Sequence, residues 1–119
     1  MAKAAYEGPA EKLELYEKLV ATNPEVERKG AANPYTSLNG HMFSMLDRSG
    51  TLILRLPSDE RETFIRKYKT KNPVQYGAVM KEYVEVPDAL LKRTSELKNY
   101  FDISYKYTGS LKPKPTRRK

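Results

Sequence analysis

The chain of 119 residues has no cysteine, no tryptophan and a single histidine. Without cysteine there are no disulfides, thiolate metal sites or thiol nucleophiles. With one histidine, metal sites built from several imidazoles are excluded as well. No stretch approaches the roughly 20 apolar residues that span a bilayer, so no membrane contact is expected. The N-terminal residues lack the apolar run of a targeting signal, and a cytoplasmic location is expected. The glycines are spread among turns. No G-x-G-x-x-G, no G-x-x-x-x-G-K-[ST] and no calcium-loop spacing occurs, so no cofactor is expected and no small-molecule substrate is evident. What remains is an ordinary balance, 39% hydrophobic and 31% charged. At this length a single domain is expected, burying roughly two-thirds of the surface of its unfolded chain.

Charge is unevenly placed. Lysine and arginine number 22 against 15 acids, a net +7. The last residues read KPKPTRRK and carry Lys112, Lys114, Arg117, Arg118 and Lys119 with no acid. Subtracting these five from +7 leaves +2 for residues 1–111, which form the expected domain. Residues 112–119, with Pro113 and Pro115, read as a disordered basic tail. Such a tail is either a solubilising end or an arm that contacts phosphates.

Periodicity outlines the elements. Pro9 opens a helix whose Leu13, Tyr16, Leu19 and Val20 form one apolar stripe, with Glu14 and Lys18 spaced as an i,i+4 pair. Asn23-Pro24 ends it. Pro34–Leu38, Asn39-Gly40 and His41–Leu46 read as a hairpin, because Asn-Gly suits the type I′ turn. After Asp47–Gly50, Thr51–Leu56 completes a three-stranded meander. Asp59 and Glu62 have capping-box spacing at the start of a second helix, with Phe64, Ile65 and Tyr68 on its buried face. Val74–Val79 and Met80–Val86 read as one or two further strands. Pro87-Asp88 starts a last helix with Leu90, Leu91, Thr94, Leu97, Tyr100 and Phe101 on its apolar face and Gly109 as the expected C′ residue. The expected fold class is α+β, an antiparallel sheet packed with three helices in the order α-β-β-β-α-β-β-α.

Candidate chemistry is sparse. His41 follows the Asn-Gly turn; a surface or strand-edge histidine is the simpler assignment, and no catalytic residue is assigned. Arg66, Lys67, Lys69 and Lys71 crowd the end of the second helix. They either complement its dipole or form an anion-binding patch. Nine tyrosines stand against three phenylalanines. Tyr100, Tyr105 and Tyr107 lie close together in the last helix with Lys98 and Lys106 among them. They read as core residues with wet hydroxyls, as a partner surface, or as a platform for stacked bases.

The run from His41-Met42-Phe43 through Thr51–Leu56, the helix around Phe64, and Tyr83-Val84-Glu85-Val86-Pro87 before an apolar helix resembles the N-terminal domain of the TfoX/Sxy competence regulators. Arg28-Lys29 corresponds to the lysine-rich lead-in of that family, and Met42-Phe43 to its Met-Phe. The resemblance covers about residues 8–108. The family's Gly-Gly after Met-Phe is absent here, and no counterpart of the second domain of the full-length regulators is expected. The resemblance implies a secretion-chaperone-like fold and names no catalytic residue. The leading expectation is a non-enzymatic regulatory or protein-interaction module with a protein partner or a second copy of itself. The alternative is nucleic-acid binding through the tail and the Arg66–Lys71 cluster. An enzyme ranks third and would need a cleft holding His41 or a buried carboxylate.

Overall fold

In a computed structural model, which describes residues 6–75 and 77–113, three helices start directly after a proline. Pro9, Pro57 and Pro87 occupy the N-cap positions with φ of −63°, −64° and −62°. None supplies a side-chain cap, so the expected Asp59–Glu62 capping box does not form. Glu11, Asp59, Glu60 and Asp88 instead place negative charge in the first turns, where the helix dipole favours it.

Helix α1 (Ala10–Val20) buries Tyr16, Leu19 and Val20 as its spacing requires. The expected Glu14–Lys18 ion pair is not formed, and Glu17 instead holds Arg28 at 3.0 Å. The connection to the sheet adds one rung of its own, with Lys29 and Tyr35 exchanging backbone hydrogen bonds of 2.8 and 2.9 Å.

Strands β1 (Tyr35–Leu38) and β2 (His41–Leu46) form the expected hairpin, with Asn39 at φ 57° and Gly40 at φ 81°. β3 (Leu52–Arg55) follows the second turn, in which the Asp47 carboxylate accepts from the amides of Ser49 and Thr51. α2 (Ser58–Tyr68) ends at Lys69 in the left-handed conformation. β4 (Val74–Gln75) and β5 (Ala78–Val79) pair as a small two-stranded arm where a single strand was one expectation. β6 (Tyr83–Val86) then joins the main sheet, giving the antiparallel order β1-β2-β3-β6.

The last helical region is divided. α3 (Asp88–Leu91) and α4 (Thr94–Ser110) meet at Arg93, whose φ −104° and ψ 73° leave the helical region. Nothing in Lys92-Arg93 forbids a helix. The corner instead lets Leu90 and Leu91 on one side, and Leu97 and Phe101 on the other, reach the same core. Lys12 pins α3 to α1 through Asp88 at 2.9 Å. Gly109 lies inside α4 and is not its C′ residue. Its missing side chain admits Leu38, whose Cδ2 would stand 3.2 Å from a Cβ there.

The fold is therefore α+β, and its helices and strands follow the expected order, with β4 and β5 paired as an arm and the last helix split in two. The helices share one core with one face of the sheet, centred on Phe43, Leu52, Leu54, Val84, Phe64 and Phe101.

Candidate functional site

The opposite face of the sheet is shaped by an irregularity in β2. Ser37 pairs with Met42 and Thr36 with Ser44, which leaves Phe43 as an extra residue. A bulge of this kind resets the alternation of side chains. Phe43 and Ser44 consequently both face the helices and are fully buried, Phe43 5.5 Å from the Phe101 ring and Ser44 2.6 Å from the Tyr16 hydroxyl. Met42 and Met45, three positions apart, both face the other way.

There they line a groove that continues in two lobes. One, of about 350 Å³, lies between Met42, Met45, Tyr35 and the Gly30–Asn33 loop. The other, of about 750 Å³, is bounded by the Asp47–Ser49 turn on one side and by Gln75 of the arm and Met80, which follows it, on the other. Three of the four methionines thus meet at one surface. Alternation along the arm turns Val74 and Val79 away from Gln75, and these valines are 54% and 52% exposed. They are the large apolar side chains most open to water among the described residues. At the far side of this face, Tyr83 donates to the Met42 carbonyl at 2.8 Å and carries the Arg55 guanidinium 5.6 Å above its ring. Arg55 also pairs with Glu82, and burial raises the Tyr83 phenol above its ordinary pKa.

The residues singled out from sequence are dispersed. His41 Nε2 is 2.9 Å from the Lys112 carbonyl and Asn39 donates to that of Gly109, so the hairpin tip is fastened to the end of α4. Arg66, Lys67, Lys69 and Lys71 are all exposed. Among the described residues none of them has a carboxylate within ion-pair distance. Lys67 lies 5.2 Å above the Tyr68 ring. Lys114, Arg117, Arg118 and Lys119 lie outside the described residues, and Lys112 is exposed at the end of those described.

The three tyrosines of α4 do not form one patch. Tyr100 stands edge-on to Phe64 and Tyr68, joining α4 to α2. Tyr105 packs on Phe43 and donates to Glu25 at 3.0 Å, and that bond raises its pKa. Tyr107 is half-buried, and its carbonyl accepts from the Ser110 hydroxyl.

A feature not anticipated from sequence lies at the α3–α4 corner. Lys18 from α1 and Lys92, Arg93 and Lys98 from the corner surround a cleft of about 580 Å³. The carboxylates beside it are already engaged. Glu96 accepts from the Tyr68 hydroxyl at 2.5 Å and faces Arg93. That tyrosine bond, with Arg93 and Lys67 adding to it, holds Glu96 below the usual carboxylate range. Burial and the same bond push Tyr68 up. Asp102 holds Lys98 at 3.0 Å. No signal along the chain links Lys18 to Lys92, because only the packing of α1 on α3 and α4 brings them together.

Among the described residues there is no cluster of three potential metal-ligating side chains and no helix long and apolar enough to cross a membrane. These features define a small α+β domain with helices on one sheet face and a methionine-lined groove on the other. Comparison with family models, with curated proteins and with solved structures finds no match to the chain.

Proposed function

We propose that this protein is a small, non-enzymatic cytoplasmic interaction module of the TfoX/Sxy N-terminal-like type, and that it engages another polypeptide through its methionine-lined sheet face. The observation that carries this reading is the convergence of Met42, Met45 and Met80 on one groove beside an arm that exposes Val74 and Val79. Unbranched, polarizable methionine side chains adapt to apolar partners of varied shape. Apolar side chains grouped on a surface cost solubility unless something covers them part of the time. Leu52 and Leu54 anchor the sheet that floors the groove in the core behind it.

Two measurements test it. Sedimentation velocity over a range of concentrations asks whether a second copy is the partner. Panning a displayed library of random peptides asks whether another chain is. The expected result is self-association, or a set of retained apolar peptides, that is lost in Met45→Lys and in the Val74→Lys, Val79→Lys double variant. A strictly monomeric protein that retains no peptide would overturn the proposal.

A second reading, nucleic-acid binding, is favoured by the four cations Arg66, Lys67, Lys69 and Lys71, for which the described residues provide no ion-pair partner. If the five tail charges also meet phosphates, affinity for duplex DNA falls with salt with a log–log slope of about −4.5 from the tail alone.

A further inference from the structure

We infer that the cleft between the end of α1 and the α3–α4 corner binds phosphate groups of a nucleic-acid backbone. It rests in part on the second reading above, whose Arg66–Lys71 cations it shares, and adds to them the cations of the cleft; the variants below separate the cleft from the tail. Three observations carry it.

The first is concavity combined with charge. Lys18, Lys92, Arg93 and Lys98 come from two parts of the chain to ring one cleft. Lys98 and Arg93 have carboxylates of their own, Asp102 and Glu96. Lys18 and Lys92 are exposed and, among the described residues, have none within ion-pair distance. Cations gathered without counter-charges repel one another, and an anion seated among them relieves that repulsion.

The second is the backbone at the same place. Arg93 accepts the amides of Glu96 and Leu97, at 3.0 and 2.9 Å. The amides of Thr94 and Ser95, which precede them in α4, receive no backbone acceptor among the described residues. Both residues belong to the cleft wall. The positive end of a 17-residue helix therefore adds to the four side chains. The Thr94 hydroxyl, also in this wall, is buried and unpartnered.

The third is continuity. Tyr68 bonds to Glu96 at the cleft wall, and Lys67 sits over the Tyr68 ring. Lys67 and Tyr68 of α2 thus adjoin the cleft, and Arg66, Lys69 and Lys71 lie within three residues of Tyr68 along the chain. A single phosphate fills only the cleft, whereas a chain of phosphodiesters meets both groups of cations. That extent is why the assignment is a nucleic-acid backbone rather than a free anion.

The experiment is fluorescence anisotropy with labelled duplex DNA, using the full chain throughout. It compares the wild type with Lys18→Ala, Lys92→Ala together, with a variant whose five tail cations are changed to glutamine, and with Lys106→Ala as an exposed-lysine control. Loss of two phosphate contacts makes the salt slope shallower by about 1.8, so that affinity falls about twelvefold less than in the wild type between roughly 50 and 200 mM salt. The expected result is weaker binding with that change of slope in the double variant, an independent loss in the tail variant, and no effect of Lys106→Ala. The inference is overturned if the double variant keeps the wild-type affinity and slope. Loss confined to the tail variant would leave the second reading standing and remove the cleft from it. Titration with inorganic phosphate provides a last arm. A protein that binds inorganic phosphate but not DNA has a small-anion site, and the nucleic-acid assignment is then wrong.

Discussion

Tyr16 shows how a single side chain can serve both the core and a polar chain. Its ring is fully buried, and its hydroxyl bonds to Ser44, which bonds in turn to Thr36 at 2.5 Å. The three hydroxyls satisfy one another where water does not reach, so none pays the full cost of an unpartnered buried group. Burial opposes ionisation and pushes the Tyr16 phenol up from 10.0 to about 12, although the bonds to Ser44 and Thr36 act the other way. The folded pKa is the raised one. The stability that depends on the neutral phenol is therefore complete below pH 10 and is lost as the pH rises toward 12. By pH 11 the loss from this group is on the order of 1 kcal/mol. Urea unfolding at pH 8, 10 and 11 is expected to show that increment as the difference between the wild type and Tyr16→Phe. Parallel pH profiles for the two would contradict the assignment. At neutral pH the same variant should cost about 1 kcal/mol for the lost hydrogen bond.

Among the elements, the β1–β2 hairpin depends most directly on local sequence. Asn39 and Gly40 both take positive φ, and Gly40 is exposed. Gly40→Ala therefore tests backbone strain almost alone. A left-handed residue with a Cβ costs roughly 1–2 kcal/mol, and a thermal melt should show the midpoint lowered by several degrees. An unchanged midpoint would mean that the turn relaxes to another type. The bulge at Phe43 is the opposite kind of feature. Regular alternation would put Met42 and Ser44 on one face and Phe43 and Met45 on the other. The observed register instead gives Phe43 and Ser44 to the core and both methionines to the groove. The reason is the surface opposite β2, where Phe101 and Tyr105 of α4 receive Phe43 while Tyr16 of α1 receives Ser44.

The whole molecule has a firm side and a loose side. The helices and the inner face of the sheet share one close-packed cluster. The arm is held by two residue pairs and carries two half-exposed valines. Local opening free energies follow such differences in packing. Hydrogen exchange followed by mass spectrometry should find the amides of β2, β3 and β6 among the slowest, and those of β4 and β5 exchanging orders of magnitude faster in dilute solution. Slowing of the arm as concentration rises would accompany self-association through this face. An arm as protected as β3 in the dilute protein would contradict the division.

Short-range chemistry was legible without the structure. The Asn39-Gly40 turn, the prolines before the helices, the stripe of Tyr16, Leu19 and Val20, and the strand around Ile53 and Leu54 each follow from neighbours a few residues apart. So does the α+β class, because the order of helical and alternating patterns is itself a property of the chain. The surfaces were not legible. Met42 and Met80, or Lys18 and Lys92, are far apart along the chain, and no periodicity relates them. The corner at Arg93 and the bulge at Phe43 likewise have no local signature, since each lets side chains on both sides reach partners elsewhere in the fold. Local preferences determined the elements and their order. Only the packing of helices on sheet decided which side chains were used up in the core and which were left to meet in the groove and the cationic cleft.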